Sequence, residues 1–401
     1  MTTIANNQTP AQQHNSPSSK KQLALLEKEL NAVFLERDSL IRLMLTSIIA
    51  KANGFLGGPP GTGKTSLVKA VTSAFGGFTF YYLFGATTTP DEIIVSIDLV
   101  ALQNGAFQRD LDRKLVLSDT AIADEIWKCN SPTLNSMLGI VLDKEYVNGK
   151  QVVQSSLNSL WGCSNELPQD ESLNALWDRL ALRYWVTNVS RPAKKVLMMR
   201  QAGLIPTPAT SVQFTLSDLK QMQAVAIQTP IEEVVIDCIL DISGMLEKET
   251  GLIASTRKHN QIVELMRCYA YVCGDDEVNE DHLDILEHIL WNKPEERALI
   301  KKAIKQFGNP LAAQAQSILE AAQQIFATIS PLSLGMNRGQ WMRDIGSADM
   351  QLTEIEAKLD ETIALAKQRR AKKVKQVKEQ VASMRSSLQT MIQTAYSLPT
   401  K

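Results

Sequence analysis

Long apolar runs are missing from this chain. No stretch of about eighteen apolar residues occurs, so no membrane-spanning helix is expected. The N-terminus lacks the charged-then-apolar pattern of a secretory leader, and a cytoplasmic location is expected. Cysteine is scarce: Cys129, Cys163, Cys238, Cys268 and Cys273 form no C-x-x-C pair and no zinc spacing. They are expected to be reduced, buried thiols. A surplus of one charge is also missing. The 42 basic and 43 acidic residues leave a net charge of −1, so nothing pulls the whole chain toward DNA or a membrane surface. What is present is a globular composition, 44% hydrophobic and 21% charged, on 401 residues, enough for about two or three domains.

One stretch organises the rest. Gly58-Pro59-Pro60-Gly61-Thr62-Gly63-Lys64-Thr65 satisfies the phosphate-loop pattern G-x-x-x-x-G-K-[ST] in full, and Ser66 follows it. Glycines let backbone N–H groups approach phosphate oxygens, and a helix start behind them favours an anion. Lys64 is expected to reach the β- and γ-phosphates and Thr65 to hold Mg²⁺, which makes ATP and Mg²⁺ the expected cofactors. Residues 52–57 read as a buried strand before the loop, and residues 66–71 as the helix after it.

Residues 1–19 are polar and rich in Gln, Asn, Ser and Pro, and are read as a disordered tail. Two helices then lead to the loop strand, the first from Lys20 and the second from Asp38 or Ser39. Residues 79–84 are strand-like and aromatic, and Thr89-Pro90 looks like a helix start. Asn104-Gly105 and Asn148-Gly149 are two hairpin signals. Residues 120–125 read as a buried strand ending in two carboxylates. Asp124 is placed to hold the Mg²⁺ shell and Glu125 to orient the attacking water. Residues 157–164 form another strand-like run, ending at Asn165, whose side chain could hold the same water. Residues 172–180 read as a helix containing Asp178-Arg179, by default a surface ion pair.

Taken together these motifs closely resemble the MoxR family of AAA+ ATPases, and in particular its RavA-like branch. The resemblance rests on the phosphate loop, on Asp124-Glu125-Ile126-Trp127-Lys128, on Ser164-Asn165-Glu166-Leu167-Pro168, and on the stretch from Leu173 to Arg179. It covers residues 20–300. It implies an α/β P-loop core with a parallel sheet between helices, followed by an all-helical lid. The two hairpins correspond to a helix-2 insertion and a pre-sensor-1 insertion. The resemblance further implies that Asn165 is sensor 1, that Arg179 (with Arg183 as second choice) is an arginine finger acting on a neighbouring subunit, and that Arg257 is the lid's sensor 2, touching the γ-phosphate. A closed homo-oligomeric ring, expected to be of six, follows from a finger that acts in trans.

The expected organisation is a tail over 1–19, the nucleotide-binding core over 20–200, the lid over 201–308 and a helical extension over 309–401. Residues 330–348 are too few for the β-rich module that RavA-like proteins insert. A helix is expected over 311–329. A long one is expected over 350–395, with one apolar stripe broken only at Arg370, within a basic cluster read as the solvated face of a coiled coil or hairpin. The function implied is chaperone-like ATP hydrolysis that remodels a protein client, often with a von Willebrand A domain partner. A DNA-acting motor is the alternative. The mixed charges around the hairpins, Arg109 and Lys150 against Asp98, Asp110, Asp143 and Glu145, argue against nucleic acid.

Overall fold

The apolar run before the phosphate loop is β1 (Asn53–Gly57), and all of it is buried. Burial on both faces is what a central parallel strand requires. In the computed structural model β1 lies in a five-stranded parallel sheet with β2 (Thr79–Leu83), β5 (Thr120–Asp124), β8 (Ser159–Ser164) and β9 (Leu180–Trp185), in the order β2-β5-β8-β1-β9. The structure describes residues 17–97, 103–104, 109–148, 151–251, 255–308, 310–329, 337–365 and 371–397. The chain divides into two units, residues 1–300 and 301–401.

In the first unit, α1 (Pro17–Val33) and α2 (Asp38–Ile49) precede the sheet, and α2 is almost wholly buried from Leu40 onward. The expected tail loses its last three residues to α1, because Pro17 is well suited to a first helical turn. The remainder of that tail lies outside the described residues. Helix α3 (Lys64–Ser73) follows the phosphate loop, and α4 (Pro90–Ile93) carries the expected Thr89 cap in a capping box with Glu92.

Strands β3 (Ser96–Ile97) and β4 (Arg109–Asp110) pair antiparallel on either side of Asn104-Gly105, though Gly105 lies outside the described residues. After β5 come α5 (Ser131–Ser136) and α6 (Leu138–Leu142). The second hairpin pairs β6 (Glu145–Asn148) with β7 (Gln151–Gln154). Helix α7 (Asn174–Arg179) ends where β9 begins, and α8 (Arg191–Gln201) follows the sheet.

The helical remainder of this unit is α9 (Leu216–Ala226), α10 (Glu233–Thr250) and α11 (Thr256–Val272), then a 3₁₀ segment, Glu280–His288. The sequence predicts an α-helix over that last stretch. Its buried residues instead recur every three positions, at 282/283 and 285/286, with 288 next in line. Three is the period of a 3₁₀ turn rather than of an α-helix. Helix α12 (Arg297–Phe307) begins in this unit and ends in the second.

Beyond the end of α12, the second unit's described residues form three helices, α13 (Pro310–Ala327), α14 (Arg338–Leu365) and α15 (Ala371–Ser397). The single helix expected over 350–395 is therefore two helices side by side. Asp360 pairs with Lys378 at 2.6 Å, and Glu356 and Asp349 with Arg385 at 2.8 and 3.1 Å, so the arms run antiparallel. One apolar stripe serves both arms: Leu352 and Leu359 pack in the same core as Val374, Val381 and Leu388. A stripe of that spacing buries equally well in a continuous coil or in a hairpin, which is why spacing alone does not reveal the break. Arg370, with Lys367 and Arg369 of the basic cluster, lies outside the described residues. Among the described residues no helix is long and apolar enough to cross a membrane. No disulfide joins the five cysteines, and Cys129, Cys163 and Cys268 are buried.

One buried cation fastens the sheet edge to the end of the lid. Arg183 on β9 is only 2% exposed. It donates to the carbonyls of Leu180 (3.0 Å), Trp177 (2.9 Å) and Trp291, and to Asn292 Oδ1 (2.8 Å). Its guanidinium also lies 4.2 Å from the centre of the Trp177 ring, which meets Phe55, Trp127 and Trp291 edge-on or nearly so. Arg183→Met would strip these buried acceptors of their guanidinium hydrogen bonds, with the Trp177 carbonyl keeping only the Leu180 N–H. The expected loss is about 3 kcal/mol or more of unfolding free energy, measured by urea denaturation followed through tryptophan fluorescence.

Candidate active site

Parallel register decides which side chains can meet. Leu56 stands opposite Cys163, and Cys163 opposite Asp124, so β1, β8 and β5 end together. The phosphate loop, Asp124-Glu125 and Asn165 therefore emerge at one edge of the sheet, the usual place for a ligand in an open parallel sheet.

The loop needs its glycines. Gly58 has φ +137°, and a Cβ there would sit 2.3 Å from the Val186 carbonyl oxygen. Gly63, at φ +80°, caps α3 in the left-handed region. Pro59 and Pro60 are exposed on the loop's outer side, as are Gly61 and, beyond Thr65, Ser66. Thr62 Oγ1 donates to the Pro59 carbonyl at 3.0 Å. The Lys64 ammonium donates to the carbonyls of Gly58 (2.7 Å) and Pro59 (2.9 Å) and to Asn165 Oδ1 (3.0 Å). Burial lowers its pKa below the usual lysine value, against the opposing influence of Cys163, Glu125 and Asp124.

Each carboxylate of the pair has its own partners. Asp124 Oδ2 accepts from Thr65 Oγ1 at 3.0 Å and from the Tyr81 hydroxyl at 3.3 Å. Burial, with Asp124 adding to it, raises the Tyr81 pKa. The Lys69 ammonium lies 3.7 Å from the centre of the Tyr81 ring. Glu125 sits at φ 54°, a left-handed conformation uncommon outside glycine, which turns the chain sharply at the strand end. Its Oε1 accepts from Asn165 Nδ2 at 3.3 Å, and its Oε2 pairs with the Lys128 ammonium at 3.3 Å. A continuous polar chain thus runs Lys64–Asn165–Glu125–Lys128. Tyr81 and Lys128 were not singled out by sequence reasoning. Lys128 lies within the D-E-I-W-K string, whereas Tyr81 is hidden in an aromatic run that reads as core.

Arg179 and Arg257 stand elsewhere. Asn53 is level with Leu180 and Gly57 with Trp185, so Arg179, just before Leu180, marks the starting end of β1. The strand's ends are about 13 Å apart, and Lys64 lies beyond the far one. Arg179 donates to the Ala175 carbonyl at 3.2 Å, and its guanidinium is 3.7 Å from Asp178. Arg257, in the first turn of α11, lines the same cavity as Arg179, together with Lys51 and Asn53. Within one chain the structure brings Arg257 to Arg179 and not to Lys64. A γ-phosphate contact from Arg257 to the loop of its own chain does not fit this placement. The buried Arg183 is held inside the fold and is unavailable as a finger.

Comparison with known proteins follows the same lines. A family model described as the MoxR domain in the MoxR-vWA-beta-propeller ternary systems matches residues 21–224, and one for an AAA lid domain matches residues 234–304. Two uncharacterized proteins of Methanocaldococcus jannaschii are similar. One is 33% identical over 291 residues, covering 72% of this chain and 77% of the relative. The other is 31% identical over 304 residues, covering 76% and 78%. A crystal structure of a candidate ATPase from Cytophaga hutchinsonii shares the fold, with a TM-score of 0.59 at 17% identity over 72% of this chain and 94% of that one. With a family-wide match over its sheet domain, a lid match behind it and a phosphate loop at the strand edge, the chain belongs to the MoxR family of AAA+ ATPases.

Proposed function

We propose that this ATPase works as a homo-oligomeric ring, of six subunits, that couples Mg–ATP hydrolysis to the remodelling or activation of a protein client. The observation that carries this reading is the separation of the two halves of the chemistry. Lys64, Glu125 and Asn165 share one end of the sheet, while Arg179 and Arg257 line a cavity at the other. An arginine so placed can serve a phosphate only on a neighbouring subunit, and a repeated head-to-tail contact of that kind closes into a ring.

The roles at the loop edge follow from the contacts. Lys64 would exchange the Gly58 and Pro59 carbonyls for β- and γ-phosphate oxygens. Thr65 and Asp124 present a hydroxyl and a carboxylate oxygen to each other, hard donors that suit Mg²⁺. Among the described residues no three His, Cys, Asp or Glu side chains cluster as a metal site, so these two donors with phosphate oxygens would hold it. Bound there, Mg²⁺ neutralises phosphate charge. Glu125 orients and polarises the attacking water, and Asn165, donating to Glu125 and accepting from Lys64, keeps that carboxylate aligned with the loop. Arg179 stabilises the charge that develops on the neighbour's γ-phosphoryl group, with Arg257 beside it.

Two observations favour a protein client. The second hairpin carries Val147 opposite Val152, 65% and 57% exposed, an apolar pair better suited to a polypeptide than to a phosphate backbone. The matching family is also described by its association with vWA and β-propeller components, and a von Willebrand A domain protein is the partner we assign.

Glu125→Gln is expected to keep ATP binding and lose about two orders of magnitude or more in turnover, while Lys64→Ala loses nucleotide affinity. Phosphate release and fluorescent-nucleotide titration separate the two effects. Arg179→Ala is expected to bind ATP nearly normally and hydrolyse it about 10³-fold more slowly. Mixing inactive Arg179→Ala with inactive Glu125→Gln should recover part of the rate, since some interfaces then hold both intact groups. Native mass spectrometry reads subunit exchange. Confirmed mixed rings without recovery, or a normal rate in Arg179→Ala alone, would remove the trans assignment.

A further inference from the structure

The cavity at the start of β1 has a volume of ≈ 130 Å³, room for a tetrahedral oxyanion with water around it. Its charged lining is lopsided. Lys51, Lys144, Arg179, Arg257 and Lys258 face it, and Asp178 is the one carboxylate among them. Four separate elements deliver these cations: the turn before β1, the turn before β6, the end of α7 and the first turn of α11. The 17-residue helix α11 also points its N-terminus here, and two cations in that first turn oppose its dipole. Such a collection of like charge costs free energy unless something negative joins it.

The side chains carry the same mark individually. Lys258 is only 8% exposed, and its Nζ has no hydrogen-bond partner. Lys144 Nζ and Arg179 Nε are likewise buried without partners. Buried donors are nearly always paired, and three orphans around one cavity call for a shared acceptor. Asp178 does not act as that acceptor: it lies 3.7 Å from the Arg179 guanidinium, too far for a hydrogen bond, and none of the three orphaned nitrogens hydrogen-bonds to it.

We infer that this cavity is a receptor for a phosphate-class oxyanion, and that Lys144 and Lys258 take up protons as the anion enters. Without an anion, burial and the nearby Arg183, only partly offset by Asp178, push Lys258 down to about 7. Burial and the neighbouring Lys51 push Lys144 down to about 8. At pH 8 Lys258 is then largely neutral and Lys144 about half protonated. A dianion beside them reverses the cost of charging both, so binding draws protons from solvent. Uptake should fade below about pH 6.5, where both amines are already charged. Affinity should weaken as pH rises above about 7, over the same window in which protons are taken up, and more steeply above about 8, where both amines are largely neutral without the anion. The inference uses the ring reading only for the source of the anion, which is either free in solution or the terminal phosphate of a neighbour's nucleotide.

Sulfate tests the pocket, because it is a dianion that does not itself titrate near neutral pH. The full chain, dilute and saturated with Mg–ADP to fill its own phosphate loop, is titrated with sulfate in a calorimeter at pH 8. Tris and HEPES, whose ionisation enthalpies differ, report the protons exchanged. The expected result is binding with uptake of about one proton per sulfate. Lys258→Gln and Lys144→Gln should each weaken sulfate about tenfold or more and reduce the uptake. Each variant removes a buried unpaired amine and should keep or raise the melting temperature, so a loss of sulfate affinity is not a loss of fold. The absence of sulfate binding, binding without proton uptake, or binding untouched by both variants would overturn the proposal.

Light scattering with ATP identifies the source. If a neighbour's phosphate fills the pocket, sulfate competes with ATP-driven association and Lys258→Gln weakens it. If the pocket takes a free anion, sulfate binds the associated protein unchanged. Both outcomes support the receptor. A chain that takes sulfate with a proton yet never associates with ATP would remove the ring and leave the pocket standing.

Discussion

The parallel register around β1 is the constraint on which the rest depends. Because β5, β8 and β1 finish level with one another, the loop lysine, the acidic pair and the asparagine need only short turns to meet. The same register places the start of β9 level with the start of β1, which carries Arg179 to the opposite edge. One sheet therefore presents the phosphate-loop groups at one end and a cluster of cations at the other. No adjustment of side chains bridges a strand's length, so within one chain the two sets do not meet at one phosphate, which is why we assign Arg179 to a neighbour.

The two ends differ in how their charges are satisfied. At the loop edge the charges are offset: Lys64 has carbonyls and Asn165, Asp124 has Thr65 and Tyr81, and Glu125 has Asn165 on Oε1 and the Lys128 ammonium beside Oε2, which makes no hydrogen bond. Hydrogen bonds of this kind can be exchanged for contacts to nucleotide at little net cost. At the opposite edge Lys144, Lys258 and the Arg179 Nε are buried without partners. An unsatisfied buried cation is expensive to keep, and an incoming anion relieves that cost. The first end is pre-organised, and the second is held in a state that an anion improves.

Arg179 and Arg183 show how little separation in sequence decides a role. They are four residues apart, one ending a helix and the other within the strand that follows. The strand's pleat turns Arg183 inward onto Trp177 and three carbonyls, where it acts as a fastener between sheet and lid. Arg179 remains at the lip of the cavity beside Asp178. Residue type alone left both as finger candidates, and burial separates them.

The amino-acid sequence by itself determined the local features: the phosphate loop, the strand before it, the acidic pair at a strand end, the capped turn at Thr89, and the sheet-and-lid class that these motifs share with MoxR ATPases. Each is written in contiguous residues whose backbone demands are local, such as glycine at positive φ or an apolar run long enough for one buried strand. Tertiary structure decided what depends on distant segments. It folded one apolar stripe into two antiparallel arms, because a stripe does not record where the chain reverses. It gave residues 280–288 a three-residue turn from their burial pattern. It brought Tyr81 to Asp124. It also gathered Lys51, Lys144, Arg179, Arg257 and Lys258, scattered over two hundred residues, around one cavity, since only the register of the sheet and the seating of α11 make them neighbours.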